Sequence, residues 1–140
     1  MQLEVVQTDK APAAIGPYSQ AIAAGSLVFV SGQLGMIPGT GELAGGTVET
    51  QARQALDNLR QVLAAAGVAL EQVTAVDVFL TDMGDFAAFN GIYEGYFGEH
   101  KPARAVVAVR ALPKDACVEI KCVAVRTGAP GADYTDATVL

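Results

Sequence analysis

The chain has 140 residues, of which 51% are hydrophobic, with 15 acidic residues against 9 basic ones and a net charge of −6. That length fits one domain able to bury roughly two-thirds of its unfolded surface, and the acidic balance lacks the basic footprint that nucleic-acid binding requires. No apolar run approaches the ~20 residues that span a bilayer, and residues 1–10 carry no basic segment followed by an apolar stretch, so neither a membrane helix nor a signal peptide is expected. Arg104, Arg110, Lys114, Lys121 and Arg126 all fall in the last third, and they read as scattered basic groups rather than a patch. A mean hydropathy of +0.34 is high for a soluble monomer. Surplus apolar surface of this kind usually ends in a subunit interface, which predicts an oligomer.

Taken in chain order, Ala21–Ala24 and Leu27–Ser31 flank Gly25-Ser26, a two-residue linker suited to a type II′ hairpin. Residues 35–46 hold five glycines and a proline and read as a loop. Ala52, Ala55, Leu56, Leu59, Val62, Leu63 and Ala66 then recur at three- and four-residue spacing. This predicts a helix capped by Thr47 and stopped by Gly67. Val73–Leu80 reads as a strand with Val76, Val78 and Leu80 on one face. A second helix follows, capped by Asp85, with Phe86, Phe89, Tyr93, Tyr96 and Phe97 as its stripe and Gly98 as its end. Ala103–Val109 and Val118–Val125 are two further strands, joined by a turn at residues 112–115. The order predicts an α+β sheet with both helices on one face. One domain is expected over residues 1–126, with residues 127–140 (TGAPGADYTDATVL) as a mobile tail.

Alternation in the last two strands bears on function. Val118, Ile120, Cys122 and Ala124 form one apolar set, and Ala105, Val107 and Val109 another; both are expected under the helices. That assignment places Arg104 and Glu119 together on the helix-free face, beside apolar neighbours. Such a face is most simply covered by another copy of the protein, and charge buried there must be paired or used. A site at a subunit boundary is therefore expected.

Few residues can carry chemistry. His100 is the only histidine and reads as a solvated loop residue. Cys117 and Cys122 are five apart in a stretch read as strand, which sets them on opposite faces and predicts two reduced thiols in a cytoplasmic protein. No zinc-ligand cluster, zinc-deaminase pattern, nucleophile elbow or P-loop is present, so no metal site is expected. Arg104 and Glu119 remain. A guanidinium fork can hold a planar carboxylate through two parallel hydrogen bonds, and a glutamate can polarise a water. The same two residues could instead form a structural ion pair, or the arginine could snorkel to the rim.

Longer motifs narrow the choice. Lys10-Ala-Pro-Ala-Ala-Ile-Gly-Pro-Tyr18-Ser-Gln-Ala closely resembles the N-terminal signature of the RidA (reactive intermediate deaminase A, or YjgF) family. Matches continue in register at Val30-Ser-Gly-Gln-Leu, at Val78-Phe-Leu-Thr-Asp-Met-Gly-Asp-Phe86 with Asn90 and Tyr93, at Pro102-Ala-Arg104, and at Leu112-Pro-Lys-Asp-Ala-Cys-Val-Glu119-Ile. The resemblance runs from about Lys10 to Arg126. It implies a chorismate-mutase-like fold assembled as a homotrimer with sites in the clefts between subunits. It also implies hydrolysis of enamines and imines such as 2-aminoacrylate and 2-iminobutyrate to 2-oxo acids and ammonia, without a cofactor. Arg104 matches the family arginine that clamps the substrate carboxylate, and Glu119 the glutamate that helps hold the attacking water. Tyr18 and Asn90 match residues that line or close the cleft, while Ser31 and Gly32 match a strand end that contacts ligand partly through its backbone. Val106 stands where many relatives have cysteine, which is compatible with a main-chain role there. Three alternatives remain: a non-catalytic 2-oxo acid sensor, an RNA-directed translation inhibitor or ribonuclease such as some relatives are described to be, and a deaminase for a larger enamine.

Overall fold

In the computed structural model, which describes residues 2–127, the first apolar stripe becomes α1 (Val48–Ala65). Thr47 caps it as expected, its hydroxyl accepting a hydrogen bond from Thr50 N at 3.2 Å. The helix ends at Ala66, and Gly67 follows at φ 81°, where an L side chain would be strained. Ala52, Ala55, Leu56, Leu59, Val62 and Leu63 are completely buried along one face.

The second helix, α2 (Phe86–Phe97), starts differently from the reading above. Asp85 already has helical φ and ψ and makes no side-chain capping bond. Asp82 caps instead, accepting from Gly84 N at 2.8 Å and opening a single 3-10 turn at Met83–Asp85 that leads into the helix. The physical reason is backbone conformation: Asp82 is extended, so its carboxylate can reach forward, and Asp85 is not. Phe89, Tyr93 and Phe97 are buried at fourfold spacing, whereas Phe86 stays partly exposed at the rim.

Six strands form one sheet in the order β1-β2-β3-β6-β4-β5. They are β1 (Leu3–Val6), β2 (Ala21–Ala24), β3 (Leu27–Leu34), β4 (Val73–Leu80), β5 (Ala103–Ala108) and β6 (Val118–Val125). All neighbours are antiparallel except β4 and β5, which run parallel because α2 forms the crossover between them. The β2–β3 hairpin turns at Gly25, at φ 61°. The sequence pattern gave no sign of β1, a short edge strand with three of its four residues exposed. Its Glu4 pairs with Arg126 at 2.8 Å. Cys117 precedes β6 instead of lying within it, and both cysteines are free thiols.

Register decides which residues share a face. Val30, Cys122, Val76 and Arg104 lie in one row across the sheet, and Ile120, Val78 and Val106 in the next. The strand residues of these rows are buried under the helices through Val30, Cys122, Val76, Ile120 and Val78. Glu119 lies in a row with Phe79 and Val107 on the opposite, open face. The expectation that Arg104 and Glu119 share a face is thus overturned: Arg104 is on the helix side and Glu119 on the open side. Alternation could not settle β5 because both of its sets are apolar apart from Arg104 itself. The open face also exposes Leu3, Val5, Leu27 and Phe29.

Gln20, 3% exposed, ties the N-terminal segment to this sheet. Its amide oxygen accepts from Thr8 N at 2.7 Å, and its nitrogen donates to Thr8 O at 3.0 Å and Pro12 O at 2.8 Å. Gln20→Leu strands these backbone groups and is expected to lower stability by about 2–3 kcal/mol in denaturant unfolding, with the N-terminal segment loosened first.

Candidate functional site

The helix-side cluster is built on α2 and β5. Asn90 and Tyr93 are three apart on α2, and Phe86 lies one turn before Asn90, so all three present one helix face. Arg104 projects from the edge strand onto this face. Its Nη1 donates to Asn90 Oδ1 at 2.8 Å, and its guanidinium carbon lies 4.7 Å from the centre of the Tyr93 ring and 5.9 Å from that of Phe86. The partners are an amide oxygen and two aromatic faces. None of them is anionic, so the positive charge is oriented but not neutralised. The only ion pairs among the described residues are Arg60–Asp57 and Arg126–Glu4, so Arg104 and Glu119 form no ion pair within one chain.

Burial pushes the Tyr93 phenol up to about 12, against the opposing pull of Arg104, so it stays neutral at physiological pH. Its hydroxyl is buried without a hydrogen-bond partner. His100 is not the solvated loop residue expected. It is half-buried, with Nε2 2.7 Å from Val73 O. That distance fixes Nε2 as the protonated nitrogen and pins the α2–β5 connection to β4. A cleft of about 530 Å³ opens beside these groups, its lining including Asn90, Tyr93, Glu94, His100, Lys101 and Arg104, with Glu94 making no ion pair to the arginine.

Glu119 belongs to a second cluster on the open side. The β3–β6 register shifts between Val30 and Gln33, skipping Ser31 and Gly32. A Cβ on Gly32 would collide with the Glu119 carboxylate, so glycine is what lets that side chain lie across β3. Burial raises the Glu119 pKa from its ordinary value, and Lys121 opposes the shift without forming an ion pair. Ser31 is committed locally: its hydroxyl donates to Ser19 O at 2.6 Å and its N–H to Gln20 O at 2.9 Å. Both bonds hold the segment that carries Tyr18, which is more than half exposed. Ile15, Tyr18, Gly32, Met36, Lys114 and Glu119 line a cleft of about 430 Å³.

The sequence-derived site residues therefore fall into two groups within one chain. Asn90 and Arg104 meet at one cleft; Tyr18, Gly32 and Glu119 meet at the other, with Ser31 behind them. The two clefts share no lining residue. Val106 sits half-buried against the core opposite Val78, so its side chain packs inward and only its main chain is available at the edge. Sequence reasoning missed the roles of Tyr93 and His100. The spacing of Tyr93 from Asn90 carried the first signal, while nothing local marked His100 as reaching Val73. No three of His, Cys, Asp or Glu converge among the described residues in a way that could hold a metal ion.

Asn90→Asp converts a neutral orienting partner into a competing anion. Any small carboxylate drawn to Arg104 is expected to bind about tenfold more weakly, or by ~1.4 kcal/mol, in calorimetric titration of the variant against the wild type, with the fold unchanged.

The model of the Endoribonuclease L-PSP family matches residues 8–126. A RutC family protein of Pyrococcus horikoshii is 50% identical over 121 residues, covering 86% of this chain and 96% of the relative. A goat protein (Capra hircus) named 2-iminobutanoate/2-iminopropanoate deaminase is 48% identical over 122 residues, covering 87% and 89%. The crystal structure of the yjgF gene product of Escherichia coli superposes with a TM-score of 0.84 at 44% identity, covering 88% of this chain and 98% of that one. On all three counts the chain belongs to the Endoribonuclease L-PSP family, the group that also goes by the names RidA, YjgF and RutC.

Proposed function

We infer that this protein is a cytoplasmic 2-iminobutanoate/2-iminopropanoate deaminase that hydrolyses reactive enamines and imines to 2-oxo acids and ammonia, acting as a homotrimer. The observation that carries this reading is the state of Arg104. Its guanidinium is aimed by Asn90 and Tyr93 yet keeps an unneutralised charge, which suits a small carboxylate. The naming of relatives at 48–49% identity as reactive intermediate or iminobutanoate deaminases supports the same chemistry.

In one chain Arg104 and Glu119 lie on opposite sides of the sheet, in clefts with no lining residue in common. The reading therefore requires a second copy to bring its Arg104 edge against the Glu119 cleft. Phe29 and Val107, each 45% exposed on the open face, supply apolar surface for that contact. Assembly would withdraw Glu119 further from water.

The chemistry asks little of the protein. The imine binds by its carboxylate on Arg104. With the imine protonated on nitrogen, a water held by Glu119 loses a proton to the Glu119 carboxylate as its oxygen bonds to C2 and the C=N π pair moves onto nitrogen, giving a neutral carbinolamine. Glu119 passes that proton to the amine. As the C2–N bond breaks, C=O forms, the hydroxyl proton goes to the Glu119 carboxylate, and ammonia carries it away as ammonium, leaving the 2-oxo acid. An enamine first takes a proton at carbon to become the imine. Because the imine is electrophilic and hydrolyses unaided, positioning that removes a few kcal/mol suffices, at about tenfold in rate per 1.4 kcal/mol. No cofactor enters these steps, and the partners are the small acid and other copies of the chain, not a membrane or nucleic acid. Among the described residues no helix is long and apolar enough to cross a membrane, and the two free thiols fit a reducing compartment.

The endoribonuclease in the family's description points to RNA. The net charge of −6 and a single histidine held by a backbone carbonyl speak against it here.

The test is the decay of 2-iminobutyrate generated in situ. The wild type is expected to accelerate it and Arg104→Ala to abolish the acceleration while the fold survives. Tight 2-oxobutyrate binding without acceleration would indicate a sensor, and salt-dependent RNA cleavage a nuclease. The acid limb of the wild-type rate profile is expected at a higher pH than that of a solvent-exposed glutamate, because Glu119 must be ionised and burial has raised its pKa.

The native state also holds that proton more tightly than the unfolded chain does. The stabilising contribution is therefore present at low pH and lost as pH rises from the unfolded pKa through the raised one. Glu119→Gln is accordingly expected to be inactive yet at least as stable as the wild type at pH 7, as read by thermal melting.

A further inference from the structure

The turn before β6 is strained where glycine would be expected. Lys114 (φ 61°, ψ 23°) and Asp115 (φ 55°) are consecutive non-glycine residues in the left-handed region, within the 3-10 turn Pro113–Asp115. Neither side chain is β-branched, but the conformation is unfavourable for any L residue. Strain of this kind persists only where surrounding contacts impose it.

What Lys114 gains is one contact, across 73 residues. Its Nζ donates to Gly41 O at 2.5 Å. Gly41 lies near the tip of a hairpin-like loop closed by the Met36–Leu43 bridge and by Ile37 N–Glu42 O at 2.8 Å. The base of this loop is firmly held. Asn58, 1% exposed, donates to Leu34 O and Met36 O at 3.1 and 2.8 Å, and Gln51 donates to Gly45 O at 2.8 Å. The tip is different. Its remaining bonds, such as Thr40 N and Thr40 Oγ1 to Ile37 O, stay inside the loop. The Lys114 bond is its hydrogen-bonded link to the rest of the described chain. Met36 from this loop, with Pro113 and Lys114 from the strained turn, lines the same cleft as Tyr18 and Glu119.

We propose that Lys114 is a positioning residue: the strained turn aims its ammonium at Gly41 O and so fixes the 36–43 loop as a wall of the Glu119 cleft. This rests on the deaminase reading for its kinetic consequence and on geometry alone for the tether. Lys114 has no carboxylate partner among the described ion pairs, so the link is a hydrogen bond from a cation to a neutral carbonyl. Another long donor can replace it. A glycine cannot, although glycine suits the backbone better.

That contrast gives the experiment, carried out on full-length protein. Lys114→Gly relieves the strain at position 114, leaving that at Asp115, and removes the tether. It is expected to keep or raise the melting temperature, to expose residues 37–42 to faster limited proteolysis, and to raise KM for 2-iminobutyrate about tenfold with kcat within twofold. Lys114→Arg restores both the protection and KM. A wild-type KM with wild-type protection in Lys114→Gly overturns the proposal. So does a joint fall in kcat and melting temperature at constant KM, which marks a merely structural turn. If the wild type hydrolyses no imine, the deaminase reading falls, and the proteolysis comparison alone decides the tether: unchanged protection overturns it.

Discussion

A guanidinium held by an amide oxygen and an aromatic face is the interaction on which the rest of this structure turns. Had α2 offered Arg104 an aspartate where Asn90 stands, the charge would be spent inside the chain. As it is, the fork is oriented at 2.8 Å by a neutral acceptor and backed by Tyr93 at 4.7 Å. Both partners come from one helix face, and that helix is the crossover that makes β4 and β5 parallel and leaves Arg104 on the edge strand. The topology thus sets an oriented cation without an ion-pair partner at the margin of the sheet.

Glu119 is managed in the complementary way. The shift in β3–β6 register and the missing side chain at Gly32 make room for its carboxylate beside the strand. Partial burial then raises the free energy of its charged form. Lys114 and Asp115 add backbone strain a few residues upstream in the chain. Glycine in a strand, a desolvated carboxylate and left-handed non-glycine residues each work against stability, and they gather around one cleft. A packed α1 face and completely buried strand residues such as Val28, Val73, Val78, Leu80, Val118 and Ile120 supply the surplus that tolerates them.

The parts of this fold governed by local period were legible in the sequence. Thr47 capping α1, the buried stripe from Ala52 to Leu63, and the faces of β4 and β6 all follow from spacing and capping chemistry. The parts that were not legible depend on partners distant in the chain. On β5 both alternating sets are apolar, so only pairing with β4 assigns Arg104 to the helix side. Asp85 has the right residue type for a cap, but the backbone turns one step earlier, at Asp82. His100 finds Val73 O and Lys114 finds Gly41 O across 27 and 73 residues, and no nearby pattern announces either contact. Arg104 and Glu119 are candidates from strand alternation and the lack of other reactive side chains, and Tyr18 and Asn90 from dispersed motifs. Their division between two clefts, one for the cation and one for the carboxylate, emerged only from sheet register.

The most direct measurement of that division is complementation between two inactive variants. Arg104→Ala and Glu119→Gln proteins are unfolded together, refolded as a mixture and assayed for imine hydrolysis. If each site takes its arginine from one copy and its glutamate from another, random assembly of an equal mixture restores about a quarter of the wild-type sites. Activity that stays at the level of the separate variants, in mixed assemblies shown to have formed, would contradict a shared site.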